Sequence, residues 1–267
     1  MIYYNNYLAV MKKYHFLNPK GVTAHNLLIN GDFQVNQRGQ SSYTCDGTKR
    51  VGGVDMWSFS KADTFMKVTE NGIETNAPIS QMFNKLKSGV KYTVVCSIDN
   101  VIHTKSITGG TYDTGTSQTI MYLAFNDVER IVITPNGTQT INYVDLFEGE
   151  IVYKHQKEDH AIALTRCLPY VEMKNVNTVG MYNSPTNAIY YVDYYKKKEI
   201  PTIQILSAGS VNGDETLPNR ETTNANTYGT INENNCGIES QFETVSGATG
   251  KCCKIQYVKI LITCEPL

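Results

Sequence analysis

Short runs of β-branched and aromatic residues, punctuated by glycine- and asparagine-rich turns, constrain this chain more than any other feature. Residues 67–69, 91–98, 120–125, 130–133 and 140–146 form such runs, and several alternate apolar with polar. Ser88-Gly89, Thr108-Gly109-Gly110, Asn126-Asp127 and Pro135-Asn136-Gly137 stand between them. Successive side chains of a strand point to opposite faces, and Gly, Asn and Asp tolerate the backbone of tight turns. Short strands at regular spacing with such turns predict a β-sandwich or jelly roll. The 108–119 stretch, rich in Thr and Gly, reads as an exposed loop between strands.

The period changes over residues 158–172. Ala161, Leu164, Leu168 and Val171 recur at steps of three and four, which places them on one helical face. Asp159 suits the helix N-terminus, and Pro169 should end or distort the helix. Strands return at 187–195, 200–205, 237–243 and 254–262, while the polar 208–235 region reads as long loops. The expected fold is mainly β, with two β-sandwich or jelly-roll domains joined by a short helix. The expected divisions are a leader (1–25), a jelly-roll domain (26–155), a linker helix (156–173) and a C-terminal β domain (174–267). In the leader, Tyr7, Leu8, Met11 and Tyr14 sit at roughly helical spacing before Pro19-Lys20-Gly21. Such a segment either packs on a partner chain or is a partly ordered tail.

Bulk properties exclude several classes. The chain has 267 residues, 41% hydrophobic, enough for two modest cores. Net charge is −1, and the only basic run is Lys196-Lys197-Lys198, which reads as a solvated strand end. Duplex binding needs many phosphate contacts, so no nucleic-acid partner is expected. No apolar stretch approaches the ~20 residues of a membrane helix. The N-terminus does not read as a signal peptide, so synthesis and folding in a cytosol are expected. Seven cysteines, odd in number and without a CxxC, predict buried free thiols rather than a zinc site or disulfide framework. Adjacent Cys252-Cys253 on a strand would face opposite ways.

Nothing nominates catalysis. There is no GxSxG, HExxH or phosphate loop, and His15, His25, His103, His155 and His160 are scattered. A glycosidase needs two carboxylates flanking the scissile bond, and no pattern marks such a pair.

One stretch says more than its periodicity. Asn26-Leu27-Leu28-Ile29-Asn30-Gly31-Asp32-Phe33, then Asn36-Gln37-Arg38-Gly39, then Asp55-Met56-Trp57, resembles the opening motif of bacteriophage tail-fibre, head-fibre and receptor-binding proteins. Asp145-Leu146-Phe147-Glu148-Gly149-Glu150 resembles that family's acidic closing strand. The 161–172 segment resembles its linker helix, and Pro201-Thr202-Ile203 a later strand. The sequence departs from the pattern at Met56, where the family commonly has Arg, and at Phe147 and Pro169. The resemblance implies a carbohydrate-module-like jelly roll, a short helix and a C-terminal β domain, as a homotrimer in a virion appendage.

Candidate ligand residues follow. Trp57, the only tryptophan, would stack on a sugar ring if exposed, although its strand-like setting favours core packing. Arg38 would pin a glycan carboxylate, or else bind a turn through its planar fork. Alternation puts Tyr191 and Tyr195 on one strand face and Tyr190 and Tyr194 on the other, so one pair is free for an interface or a ligand. An interface is the favoured use of that pair, and the 108–119 and 211–235 loops are the better candidates for ligand contact. Related jelly rolls often bind structural calcium, for which Asp32, Asp145 and Glu148 would supply oxygens, but calcium wants six to eight. No other metal or cofactor is expected. The leading expectation is a non-enzymatic, trimeric virion fibre or adhesin subunit. It would attach to other virion proteins through residues 1–25 and recognise host-surface glycan. The alternatives are a structural decoration or connector protein without ligand, and a surface polysaccharide depolymerase.

Overall fold

The computed structural model describes residues 26–83, 85–112, 118–125, 128–150, 154–212, 220–242 and 249–264. The expected leader, and the middles of the two expected recognition loops (113–117 and 213–219), lie outside the described residues. The chain divides into two compact units between Arg166 and Cys167. Both are built of antiparallel sheet, so the protein is mainly β, of the sandwich and jelly-roll class.

The N-terminal unit runs β1 (Ser42–Cys45), β2 (Val51–Gly52), β3 (Ser58–Phe59), β4 (Thr64–Thr69), β5 (Gly72–Thr75), β6 (Ile79–Phe83), β7 (Lys91–Ile98), β8 (Val101–Thr108), β9 (Ile120–Phe125), β10 (Val128–Ile133) and β11 (Gln139–Glu148). The chain passes repeatedly from one sheet to the other. One sheet has the order β1-β4-β5-β11-β7-β8, the other β2-β3-β6-β10-β9. Alternate residues of each face a shared core. Ile73, Val94, Cys96, Ile141, Val144 and Leu146 come from the first sheet; Phe59, Ile79, Tyr122, Ile131 and Ile133 come from the second. Burying such side chains is worth about 1.5–3 kcal/mol each, which is what holds the two sheets face to face.

The helix α1 (His160–Cys167) is shorter than its sequence period suggested. Asp159 Oδ1 accepts the Ala161 amide at 2.9 Å, so the N-terminal end falls where expected. At the other end Pro169 has no N–H to continue the helix, the Tyr170 amide turns back to Cys167 O at 2.8 Å, and Val171 begins a strand. The buried face is therefore Ala163 and Cys167, while Ala161 is exposed.

The C-terminal unit runs β12 (Val171–Ser184), β13 (Asn187–Asp193), β14 (Thr202–Ser207), β15 (Ser210–Asn212), β16 (Arg220–Glu221), β17 (Asn224–Tyr228), β18 (Asn235–Gln241) and β19 (Cys252–Thr263). These form one continuous sheet, β16-β15-β19-β12-β13-β18-β17, with β14 also on β19. Strand β19 holds β15 along residues 254–256 and β14 along 259–263. A bulge separates them: Tyr257 takes φ +61° and its amide donates to Asn177 Oδ1 at 3.0 Å. Three elements depart from the expected long loop at 208–235, where β15, β16 and β17 lie. Strand β17 is an edge, and only Ala225 of its five residues is buried. A strand that needs one small apolar residue leaves almost no hydrophobic signal in its sequence.

The Lys196-Lys197-Lys198 run also needs correction. Lys196 is exposed, but Lys197 is buried, its ammonium 2.9 Å from Glu172 Oε2 and 2.5 Å from Leu168 O. All seven cysteines are free; Cys252 is exposed and Cys253 buried, on opposite faces of β19. Burial lifts the Cys96 thiol to about 12 and those of Cys236 and Cys253 to about 11, which makes them unreactive. No helix among the described residues is long and apolar enough to cross a membrane.

Candidate functional site

The opening motif is a knot of backbone held by buried polar side chains. Asn30 sits at its centre. Its Nδ2 donates to Val35 O and Asp55 O, both at 2.9 Å, and its Oδ1 accepts the Val35 amide at 2.9 Å. Gly31 passes so close to β11 that a Cβ would lie 2.3 Å from Val144 O, so glycine is required. Buried Asp55 accepts the Gln37 amide (3.1 Å) and Gln37 Nε2 (2.8 Å), and Arg38 Nη1 lies 3.6 Å away.

This geometry removes two of the expected ligand residues. Trp57 is 0% exposed, packed on Phe33, with its indole N–H donated to Asn30 O at 2.9 Å. No face of its ring is left for a sugar. Arg38 spends its fork inward, on Asp55 and on Gly53 O at 3.3 Å. Both residues build the framework.

The same motif receives the connector that leaves the N-terminal unit. Protonated, His155 lies between two carboxylates, Nε2 at 2.8 Å from Asp32 Oδ1 and Nδ1 at 2.9 Å from Asp145 Oδ2. Its ring stacks on Tyr143 with centroids 3.7 Å apart. Asp32 Oδ2 accepts the Glu158 amide at 2.9 Å, and Gln34 Nε2 donates to Glu158 O at 2.8 Å. Arg166 closes the latch on Glu158 Oε1 (2.7 Å), Asn26 O (2.9 Å) and Leu28 O (2.8 Å). Two of the three oxygens considered for calcium are thus turned toward an imidazole, and the third, Glu148, pairs with Lys87 at 3.1 Å. Among the described residues no group of three or more His, Cys, Asp or Glu is placed to hold a metal.

Burial opposes charge on His155, yet its bonds to Asp145 and Asp32 prevail and lift it from 6.5 to about 9. Burial also raises the Asp145 carboxyl, and His155 draws it back. A raised histidine stabilises the fold fully below its ordinary value and loses that contribution as pH climbs through about 9. Wild type should therefore lose about 2 kcal/mol between pH 7 and 10, a figure discounted for the partial exposure of the ring. Denaturant midpoints across that range should fall less steeply for His155→Ala; parallel curves would refute the latch.

On the C-terminal sheet the tyrosines separate as their alternation requires. Tyr190 and Tyr194 are buried, Tyr190 against Ser240 Oγ (3.2 Å) and Tyr194 donating toward Asn232 O and Asn235 O. Tyr191 and Tyr195 are exposed, 67% and 48%. Tyr191 pairs across strands with Gly237, and Gly237 pairs with Tyr228 of β17, 40% exposed. Partners in register share a face, so two tyrosines flank a glycine, about 9–10 Å apart across two strand spacings. Val179 and Met181 of β12 are also exposed.

Sequence reasoning passed over two residues that the N-terminal unit brings together, Arg50 and Arg130. No local motif marks either; only the strand pairing places them on one sheet face. The chain matches no protein-family model, no curated protein and no solved structure.

Proposed function

We propose that the protein is a phage virion subunit, a trimeric fibre or adhesin that attaches to the particle by its N-terminal end and recognises host-surface glycan without catalysis. The opening motif and the order of its companion segments support the fibre reading. The observation that carries recognition is the Tyr191–Gly237–Tyr228 row. The exposed rings of Tyr191 and Tyr228 flank buried Gly237, over which the Tyr191 ring leans, and form an aromatic surface; the C–H faces of a pyranose suit aromatic rings. Such contacts are individually weak. Repetition around a threefold axis would supply avidity of 10²–10⁴ without any further contact.

The test is binding of the purified protein to surface polysaccharide of candidate host cells. Tyr191→Ala and Tyr228→Ala should each weaken binding about tenfold, the worth of one aromatic contact. Because both rings are exposed, melting temperatures should stay within about 1 °C of wild type. Unchanged binding in both variants would sink the reading, and release of reducing sugar would favour a depolymerase. Light scattering should give the mass of three chains; a stable monomer would count heavily against a fibre.

A structural subunit without ligand is the second reading. Val179 and Met181 favour it, since exposed aliphatic and thioether side chains beside Tyr191 suit contact between protein copies. Protection of β12 and β13 from hydrogen exchange in the assembled particle, with no glycan binding, would support it.

A further inference from the structure

The second sheet of the N-terminal unit has an outer face that its core does not explain. On β6 and β10 the inward residues are Ile79, Gln81, Glu129, Ile131 and Ile133. Ser80, Met82 and Arg130 therefore point the other way. Arg130 has Met82 on one side and Leu123 on the other as register partners. Arg50 arrives from a tight turn in which Asp46 Oδ1 accepts the Thr48 amide (2.9 Å) and hydroxyl (2.7 Å). Its Nη1 reaches Ser58 Oγ at 3.3 Å and Ser80 Oγ at 2.5 Å. Ser58 and Ser80 are themselves a register pair.

Two guanidinium groups thus share one half-buried face. Among the described residues neither guanidinium forms an ion pair, and that of Arg130 makes no hydrogen bond. Burial depresses both pKa values, and the charge of Arg50 depresses that of Arg130 further. A half-buried cation without a partner is costly, and a like charge beside it adds to the cost. An arrangement that works against stability in the unliganded protein points to a counter-charge that arrives with a ligand. The guanidinium fork matches a carboxylate in two hydrogen bonds. Met82 and Leu123 offer apolar contact to either side of it. A nucleic acid would need many such cations in a track, and the chain's net charge is −1.

We propose that this face binds an acidic sugar, its carboxylate held between Arg50 and Arg130 over Ser58 and Ser80. The sugar as ligand rests on the glycan-binding reading above; the site is separate from the tyrosine row. The experiment is calorimetric titration of the full-length protein with a uronic-acid trisaccharide and with its carboxyl-reduced, neutral counterpart. The acid should bind at least tenfold tighter. Arg50→Met and Arg130→Met should each remove that advantage and leave binding of the neutral sugar unchanged. Arg130→Met should also melt at or above the wild-type temperature, because it replaces an unpaired cation between two apolar neighbours. Equal binding of the two sugars, unaffected by either arginine variant, overturns the proposal and leaves the glycan reading standing. A clear drop in melting temperature for Arg130→Met overturns it in favour of a structural role. Failure of wild type to bind either trisaccharide or host polysaccharide overturns both readings.

Discussion

Asp55→Ala is expected to destabilise the N-terminal unit by about 3–5 kcal/mol, the usual cost of leaving one member of a buried pair alone. Asp55 is fully buried, and Arg38 beside it is 12% exposed. Removing the carboxylate strands the Arg38 charge and the Gln37 amide together. The backbone nearby raises the cost. Asn30, Phe33 and Met56 take φ values of +55°, +56° and +72°, a region that bulky residues avoid. Strain of about 1–3 kcal/mol per residue persists only where neighbours over-determine the conformation. Asp55 and Asn30 are those neighbours. Trp57 lies in the same core and is the chain's only tryptophan, so its fluorescence in denaturant follows this unit directly. Adding Arg38→Met should recover part of the loss. A single-variant loss under about 1 kcal/mol would show that the knot does not depend on the pair.

Glu172→Ala should do comparable damage to the C-terminal unit, again about 3–5 kcal/mol. The Lys197 side chain is fully buried, and burial pushes its ammonium below the ordinary lysine range. Glu172 offsets this by direct contact, and Leu168 O and the Tyr194 ring, 5.8 Å away, do the rest. Without Glu172 the ammonium must lose its proton or draw in water. Either response loosens the start of β12, whose Val171 pairs with Thr263 of β19. Hydrogen exchange along β12 and β19 is the appropriate readout, with Trp57 fluorescence unchanged. Glu172→Ala combined with Lys197→Met should regain most of the stability, since an apolar replacement for a buried pair is often neutral or better. Failure of the double variant to recover would mean that the ion pair is not what Glu172 contributes.

Much of the architecture was legible because strand and turn signals are local. Alternation at 91–98 and 130–133 marks β7 and β10, and Asp159 and Pro169 bracket α1. The separation of Tyr190 and Tyr194 from Tyr191 and Tyr195 needed only the two-residue period. The edge strands β16 and β17 were hidden because an edge buries little. Lys197 was hidden for the opposite reason: its run reads as surface charge, and nothing nearby in sequence announces Glu172.

The site residues divide along the same line. Trp57 and Arg38 were singled out by a motif, and the fold turned both inward. His155 looked like one of several scattered histidines until the connector laid it between Asp32 and Asp145. Arg50 and Arg130 meet only because β2, β3, β6 and β10 lie side by side in one sheet. The sequence by itself determined the period of each strand, the faces of its tyrosines and the ends of its helix, because these follow from backbone geometry within a few residues. Tertiary structure alone decided which charges met a counter-charge and which, among the described residues, face outward without an ion pair. That outcome depends on sheet order and register between segments far apart in the chain, which no local pattern encodes.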